Sequence, residues 1–292
     1  MPGSRRPGLH HTRLGPADTV PTVVLHGGGP GCHSAADFAA VLALRPRRAW
    51  LCVDLPRYGR SPLPGPGLPP GRFSGPAAAL AGLLDGIGRP VNILAQSLGG
   101  AVALALAARR PELVARIVLI GSTPAAFRGV RTDPGLGARL RDALYADPGP
   151  ARMRALMEGA EWHRSTPPEE LVAGRLRAAT TATALAVATD PAARGTDEDL
   201  GPLLGTVTAP TLAVWGAHDP FSEPAYGAAL AGALPHGDLV VLGRTAHHPQ
   251  SERPDAVAAL ADAFLPEPGR GGGPMSASAP ANPPVPLPQE NP

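Results

Sequence analysis

Six short apolar or β-branched runs recur along the chain, at residues 22–26, 50–54, 91–96, 117–121, 211–216 and 239–243, most of them bounded by Gly or Pro. Runs of this length without polar alternation fit strands buried on both faces of a parallel sheet. Helical patterns stand between them. Residues 34–44 open on Ser34 as an expected N-cap, with Asp37 three positions on in a loose capping box. Residues 98–110 are apolar nearly all round, which predicts a central helix; Arg109 and Arg110 suit its negative end and Pro111 stops it. Residues 254–264 begin on proline, a first-turn residue. The alternation predicts right-handed crossovers and an α/β chain with a mostly parallel, doubly wound sheet.

One region breaks the rhythm. Residues 123–206 hold no strand pattern, only helical ones at 137–145, 153–163 and 168–189, and are expected to form a helical cap over the sheet edge. The core is then expected over 18–122 and 207–265. Residues 1–17 read as a mostly flexible segment with one short strand around 9–14. Residues 266–292 carry nine Pro and four Gly and almost nothing apolar, so they are expected to be disordered.

Composition narrows the class. Gly (36) and Pro (38) make up about a quarter of the 292 residues, without the three-residue period of collagen. Aromatics are only 4%, but 43% of residues are apolar, enough for an Ala/Leu/Val core. No apolar run approaches the roughly 18 residues of a membrane span. The first fifteen residues carry charge without an apolar stretch, so nothing there reads as a secretion signal and a cytoplasmic location is expected. A net charge of +2 spread along the chain is no nucleic-acid footprint. Cys32 and Cys52 make neither a disulfide framework nor a zinc site. No metal and no cofactor are expected. The expected partner is a small-molecule substrate, with a homodimer left open.

The chemistry centres on Val91-Asn-Ile-Leu-Ala-Gln-Ser97-Leu-Gly-Gly100, a buried strand, a sharp turn and a helix with a hydroxyl at the turn. This is the setting of a nucleophile elbow, where small neighbours are needed; Ala95 and Gly99 fill those places. The bland alternative is a serine capping a helix. The N–H of Leu98 would point at a developing oxyanion. His26-Gly-Gly-Gly-Pro-Gly31 follows the first buried strand and would supply a second donor, from Gly28 with Gly29 next, or would be a plain turn. A phosphate loop is excluded, since the chain has no Lys and Pro30 interrupts a G-x-G-x-x-G turn. His26 is expected to support the loop. A serine hydroxyl needs a base and an orienting acid. Asp219 follows the strand at 211–216, although Asp-Pro is also a common turn. His247 or His248, after the next strand, is the base.

These residues resemble the α/β-hydrolase superfamily over about residues 22–265. The HGGGPG stretch with Phe38, and Asp54-Leu-Pro-Arg-Tyr-Gly-Arg-Ser61, are similar to the meta-cleavage-product hydrolases, which split carbon–carbon bonds in vinylogous 1,5-diketones. The resemblance implies an α/β-hydrolase fold with an inserted cap and no cofactor. The match of residues 247–254 to H-x-P-x-x-E-x-P implies that His247 is the base. Gln96 and His248 stand where those enzymes usually carry Asn and Trp, so both are expected to touch substrate, as is Gly29. Arg57 replaces a turn glycine. Ala173-Gly-Arg-Leu176 looks like the cap stretch whose arginine binds the substrate's enolate or carboxylate, which implies that role for Arg175. At about 100° per residue Arg175 also falls within the apolar arc of Leu171, Val172, Leu176 and Ala179, where a charge needs an anion. The alternatives are snorkelling to solvent or pairing with Glu170. The activity expected is that of a Ser97-His247-Asp219 hydrolase. Its alternatives are an ester, lactone or thioester hydrolase, or a hydrolase-fold binding protein without turnover.

Overall fold

The computed structural model describes residues 8–63, 67–160 and 166–266. Seven strands form one sheet: β1 (His11–Leu14), β2 (Thr22–Leu25), β3 (Trp50–Val53), β4 (Val91–Gln96), β5 (Val114–Ile120), β6 (Thr211–Gly216) and β7 (Gly237–Leu242). Their order is β1-β3-β2-β4-β5-β6-β7. Edge strand β1 runs antiparallel to β3, and every other pair is parallel. All six apolar runs are strands. β5 starts three residues earlier than the pattern suggests, at Val114, because Pro111 and the turn after it end the preceding helix and pairing with Val91 begins at once.

The inner strands β2 to β6 are buried on both faces, and their alternate residues divide between two cores. The edge strands β1 and β7 are largely exposed or half-buried, so the run at 239–243 is a strand but not one covered on both faces. Leu25, Val53, Ile93, Ala95 and Leu119 pack with α3 (Ser74–Leu84), α4 (Leu98–Arg109) and α10 (Pro224–Ala233). Val24, Cys52, Leu94, Val118 and Val214 pack with α2 (Ala39–Leu44) and α11 (Pro254–Phe264). Helices on both faces make the sheet doubly wound. The patterns at 98–110 and 254–264 are helices within one residue. The segment at 34–44 is not one helix capped by Ser34. It divides into α1 (Ser34–Asp37) and α2 at the fully buried Phe38, the N-cap position falls on His33, and Ser34 Oγ instead donates to Val53 O at 2.6 Å. Seating the Phe38 ring in the core takes its backbone out of the helical region. Helices α3 and α10 had no forecast, since their Ala/Gly-rich sequences carry interior glycines and little polar contrast.

Between β5 and β6 lie α5 (Pro134–Ala146), α6 (Pro150–Ala160), α7 (Glu169–Ala179), α8 (Ala182–Thr189) and α9 (Gly201–Leu204). Leu144, Met153, Leu156, Met157, Val172 and Ala179 form a small apolar cluster of their own. The pattern at 168–189 is two helices, because Thr181 caps the second by accepting from Ala184 N at 3.2 Å. The insert returns to the core through Glu198, whose carboxylate accepts from the Phe73 and Ser74 amides at 2.6 and 2.8 Å, at the positive end of α3. Residues 161–165, the end of the pattern at 153–163, lie outside the described residues, as do residues 1–7 and the Pro-rich tail beyond 266. Among the described residues no helix is long and apolar enough to cross a membrane.

Candidate active site

One residue makes the turn from β4 into α4. Ser97 has φ 47° and ψ −111°, a backbone that side chains rarely adopt. Neighbouring strands hold it there: Ser97 N donates to Ile120 O at 2.8 Å, and Ser122 Oγ donates to Ser97 O at 2.7 Å. The turn also requires Gly99, where a Cβ would come within 2.7 Å of His26 O and of Leu25 Cβ. Ser97 thereby lines a cavity of about 510 Å³ at the C-terminal ends of the strands, together with Gly28, Gly29, Gln96, His247 and His248.

The glycine loop leaves β2 beside this turn. His26 is fully buried, and burial lowers its pKa. Its Nε2 accepts from Leu55 N at 2.9 Å, so Nδ1 carries the proton and donates to Gly27 O at 2.7 Å. It is a neutral strut. A Cβ on Gly28 would lie 3.3 Å from Leu98 Cβ, which sets the two candidate oxyanion residues side by side. Leu98 is the first residue of α4, so its N–H has no acceptor within the helix and points along the positive end of the dipole.

Asp219 and His247 meet across the ends of β6 and β7. Asp219 Oδ2 lies 2.7 Å from His247 Nδ1, and Asp219 Oδ1 accepts from the Phe221 and Ser222 amides at 2.9 and 3.4 Å. Both carboxylate oxygens are therefore engaged, and the aspartate side chain is fully shielded from solvent. The Phe221 ring covers the imidazole with centroids 4.5 Å apart. His247 and Ser97 line the same cavity with no hydrogen bond between them.

Gln96 is fully buried; its Nε2 donates to His247 O at 3.1 Å, while Oε1 has no partner. His248 is buried, and its pKa is held well below 6.5 by burial first, then by Arg175 and His247. Arg175 is placed differently from expectation. It is buried but does not line this cavity. Its Nε donates to Pro30 O at 3.0 Å and a terminal nitrogen lies 2.8 Å from Cys32 Sγ, so it clamps the glycine loop. A Cβ on Gly31 would meet Arg175 O at 2.1 Å, which shows how close the two chains run.

Three further residues build the site. Gly121, at φ 54°, ends β5 directly beneath the Asp–His pair, where a Cβ would lie 3.0 Å from His247 Nδ1 and 3.1 Å from Asp219 Oδ2. Gly216 ends β6, where a Cβ would meet Ala246 O at 1.9 Å, so the histidine loop crosses directly over it. Glu252 Oε2 accepts from Ala246 N at 2.6 Å and ties that loop down. The only sequence signals were glycines just after strand ends and the glutamate of the H-x-P-x-x-E pattern. Among the described residues there is no cluster of three side chains fit to hold a metal ion.

The chain matches the model of the Alpha/beta hydrolase family over residues 22–260. It is 32% identical over 272 residues to a 2-hydroxy-6-oxononadienedioate/2-hydroxy-6-oxononatrienedioate hydrolase of Dechloromonas aromatica, covering 88% of this chain and 90% of that one. Among solved structures it is similar to the 2-hydroxy-6-oxo-6-phenylhexa-2,4-dienoate hydrolase from Rhodococcus sp. strain RHA1, at 26% identity and TM-score 0.71, covering 87% and 98% of the two chains. The enol-lactonase from Burkholderia xenovorans LB400 shares the fold at 22% identity and TM-score 0.70, over 88% and 96%. The chain belongs to the alpha/beta hydrolase family.

Proposed function

We propose that the chain is a cofactor-independent serine hydrolase with Ser97 as nucleophile, His247 as base and Asp219 as the group that orients it. The observation that carries this is the 2.7 Å contact of Asp219 with His247 Nδ1 inside the cavity of Ser97. With Nδ1–H donated to the carboxylate, Nε2 keeps its lone pair for the serine proton. Ser97 Oγ bonds to the substrate carbonyl carbon as His247 takes its proton. The oxyanion then sits between the N–H groups of Leu98 and Gly28, each worth about 3 kcal/mol when well placed. The leaving group departs with a proton from His247, and a water activated by the same imidazole releases the acid. Catalytic hydrogen bonds of this kind tighten in the substrate complex, which accommodates the open Ser97–His247 contact.

The substrate class proposed is a vinylogous 1,5-diketone of the meta-cleavage type, cut at a carbon–carbon bond. Its support is the relatives, named as hydrolases of 2-hydroxy-6-oxo-dienoic acids. The carbanion-equivalent leaving group requires ketonisation of the dienol before cleavage. Gln96, Gly29 and His248 line the cavity and would touch the substrate. One observation favours ester or lactone hydrolysis as the second reading: Arg175, the cation the diketone reading calls on, is engaged with the glycine loop instead of lining the cavity. In either reading residues 123–206 act as a cap on a core of 18–122 and 207–265, and the enzyme acts in the cytoplasm. Incubation with a 2-hydroxy-6-oxo-dienoate and with aryl esters separates the readings. Bleaching of the dienoate chromophore supports carbon–carbon hydrolysis; turnover of esters with an unbleached dienoate rejects it.

A further inference from the structure

The three glycines that follow His26 have no side chains to fix them, so each peptide plane is free to turn unless something outside the loop holds it. Two rings do so. His26 Nδ1 donates to Gly27 O at 2.7 Å, and the Tyr58 hydroxyl donates to Gly28 O at 3.1 Å. The rings rest against each other, with centroids 4.9 Å apart and planes tilted by 59°. Burial raises the pKa of Tyr58, so the phenol keeps its proton and remains a donor at neutral pH.

In a trans peptide the C=O and the N–H point in opposite directions. Pinning Gly27 O and Gly28 O to the two rings therefore turns the N–H groups of Gly28 and Gly29 away from those rings. Both glycines line the cavity of Ser97, whereas Tyr58 lines a second cavity, of about 270 Å³, that shares Gly28, Gly29 and Pro30 as walls with the first. A Cβ on Gly28 would stand 3.3 Å from Leu98 Cβ and 3.4 Å from the Tyr58 hydroxyl, so this residue sits between the helix start and the phenol. Tyr58 is itself held: its N–H donates to Leu55 O at 3.0 Å, its carbonyl accepts from Ser61 N at 2.9 Å, and Leu55 N in turn donates to His26 Nε2 at 2.9 Å. Arg57 and Gly59 flank it at φ 81° and 53°. A left-handed non-glycine residue persists only where its surroundings hold it, and here it makes the sharp turn that presents the phenol to the loop.

We infer that Tyr58 is a positioning residue of the oxyanion hole: its hydroxyl, bonded to Gly28 O, holds Gly28 in the conformation that presents its own N–H and that of Gly29 to the substrate oxygen. The inference rests on the reading of Ser97 as nucleophile and goes beyond it, since Tyr58 belongs neither to the triad nor to the wall of that cavity. The substrate oxygen gains its full charge only as the carbonyl is attacked, so a misdirected N–H weakens the transition state more than the bound ground state.

The test compares the full-length wild type with Tyr58→Phe, which removes the hydroxyl and keeps the ring against His26. The separate values of kcat and KM are measured on 4-nitrophenyl pentanoate over a range of pH. Inhibition is measured with butylboronic acid, whose boron bonds to Ser97 Oγ and gives a tetrahedral anion with one oxygen in the oxyanion hole. Amide hydrogen exchange of the glycine-loop peptide adds a readout that needs no turnover. Expected in Tyr58→Phe are a kcat lower by about tenfold with KM unchanged, a boronate affinity weaker by about the same factor, and faster exchange in the loop. The acid limb of the pH profile should stay in place, because His247 and Asp219 are untouched. An unchanged kcat overturns the inference. A loss carried in KM with boronate affinity intact, or a displaced acid limb, also overturns it, since the defect then lies in substrate binding or in the triad. A wild type with neither ester turnover nor Ser97-dependent boronate binding would sink the hydrolase reading instead. The loop's exchange then decides alone whether Tyr58 holds Gly28, and exchange unaltered by the substitution overturns that too.

Discussion

The carboxylate of Asp219 reaches the imidazole of His247 at 2.7 Å from the end of a different strand, with its other oxygen fixed by two backbone amides. That arrangement selects the tautomer with Nδ1 protonated and leaves the Nε2 lone pair free for the proposed role as base. Asp219→Asn keeps the shape of the site but can donate to Nδ1 and so favours the other tautomer. Steady-state kinetics should show a fall in kcat of about 10⁴-fold with little change in KM. A loss confined to KM would contradict the role given to the aspartate.

Gly121 supports this pair from below. Its φ of 54° and a Cβ position 3.0 Å from His247 Nδ1 mean that Gly121→Ala must both strain the backbone and push on the ring. Expected are a loss of about 1 kcal/mol of stability in chemical denaturation and a roughly ten- to hundred-fold lower kcat/KM. Retention of full activity would show that the ring has room to spare.

The parts of the fold legible in the sequence are those where burial acts on a continuous stretch. Strands covered on both faces lack polar alternation, so β2, β4 and β6 stand out, and the residues just beyond their ends, His26 to Gly31, Ser97 and Asp219, could be read as one sheet edge. Helices α3 and α10 lacked such a signal because alanine and glycine pack tightly without an amphipathic pattern. Arg175 could be placed on the inner arc of its helix, but its acceptor is a backbone carbonyl 145 residues away, which no spacing rule reports. The roles of Gly121 and Gly216 are close approaches between distant segments, visible only once the loops are in place.

Acid sensitivity follows from two buried histidines. His26 and His248 both have pKa values held below 6.5, with burial the first cause in each. Below that pH the unfolded chain takes up protons that the folded chain refuses, so stability falls as the solution is acidified, until the folded values are reached. The slope approaches about 1.4 kcal/mol per pH unit for each histidine. Urea denaturation at pH 7.5, 6 and 5 should show this decline, and His248→Phe should flatten it. An unchanged slope in the variant would mean that His248 titrates normally in the folded chain.

Arg175 tests how the glycine loop is held. Its bonds to Pro30 and Cys32 make it a positioning residue for the loop that carries Gly28. Arg175→Gln should therefore lower kcat about tenfold or more for a neutral aryl ester as well as for any anionic substrate, because a displaced oxyanion donor affects both. A defect restricted to anionic substrates, carried in KM, would instead mark Arg175 as a direct substrate ligand.

The proposed chemistry stands on Ser97 as nucleophile and His247 as the base that activates it. Labelling with a fluorophosphonate, followed by mass mapping, addresses this most directly. One adduct per chain is expected, on Ser97, absent in Ser97→Ala and strongly slowed in His247→Ala. An adduct elsewhere, or undiminished ester turnover by Ser97→Ala, would contradict it.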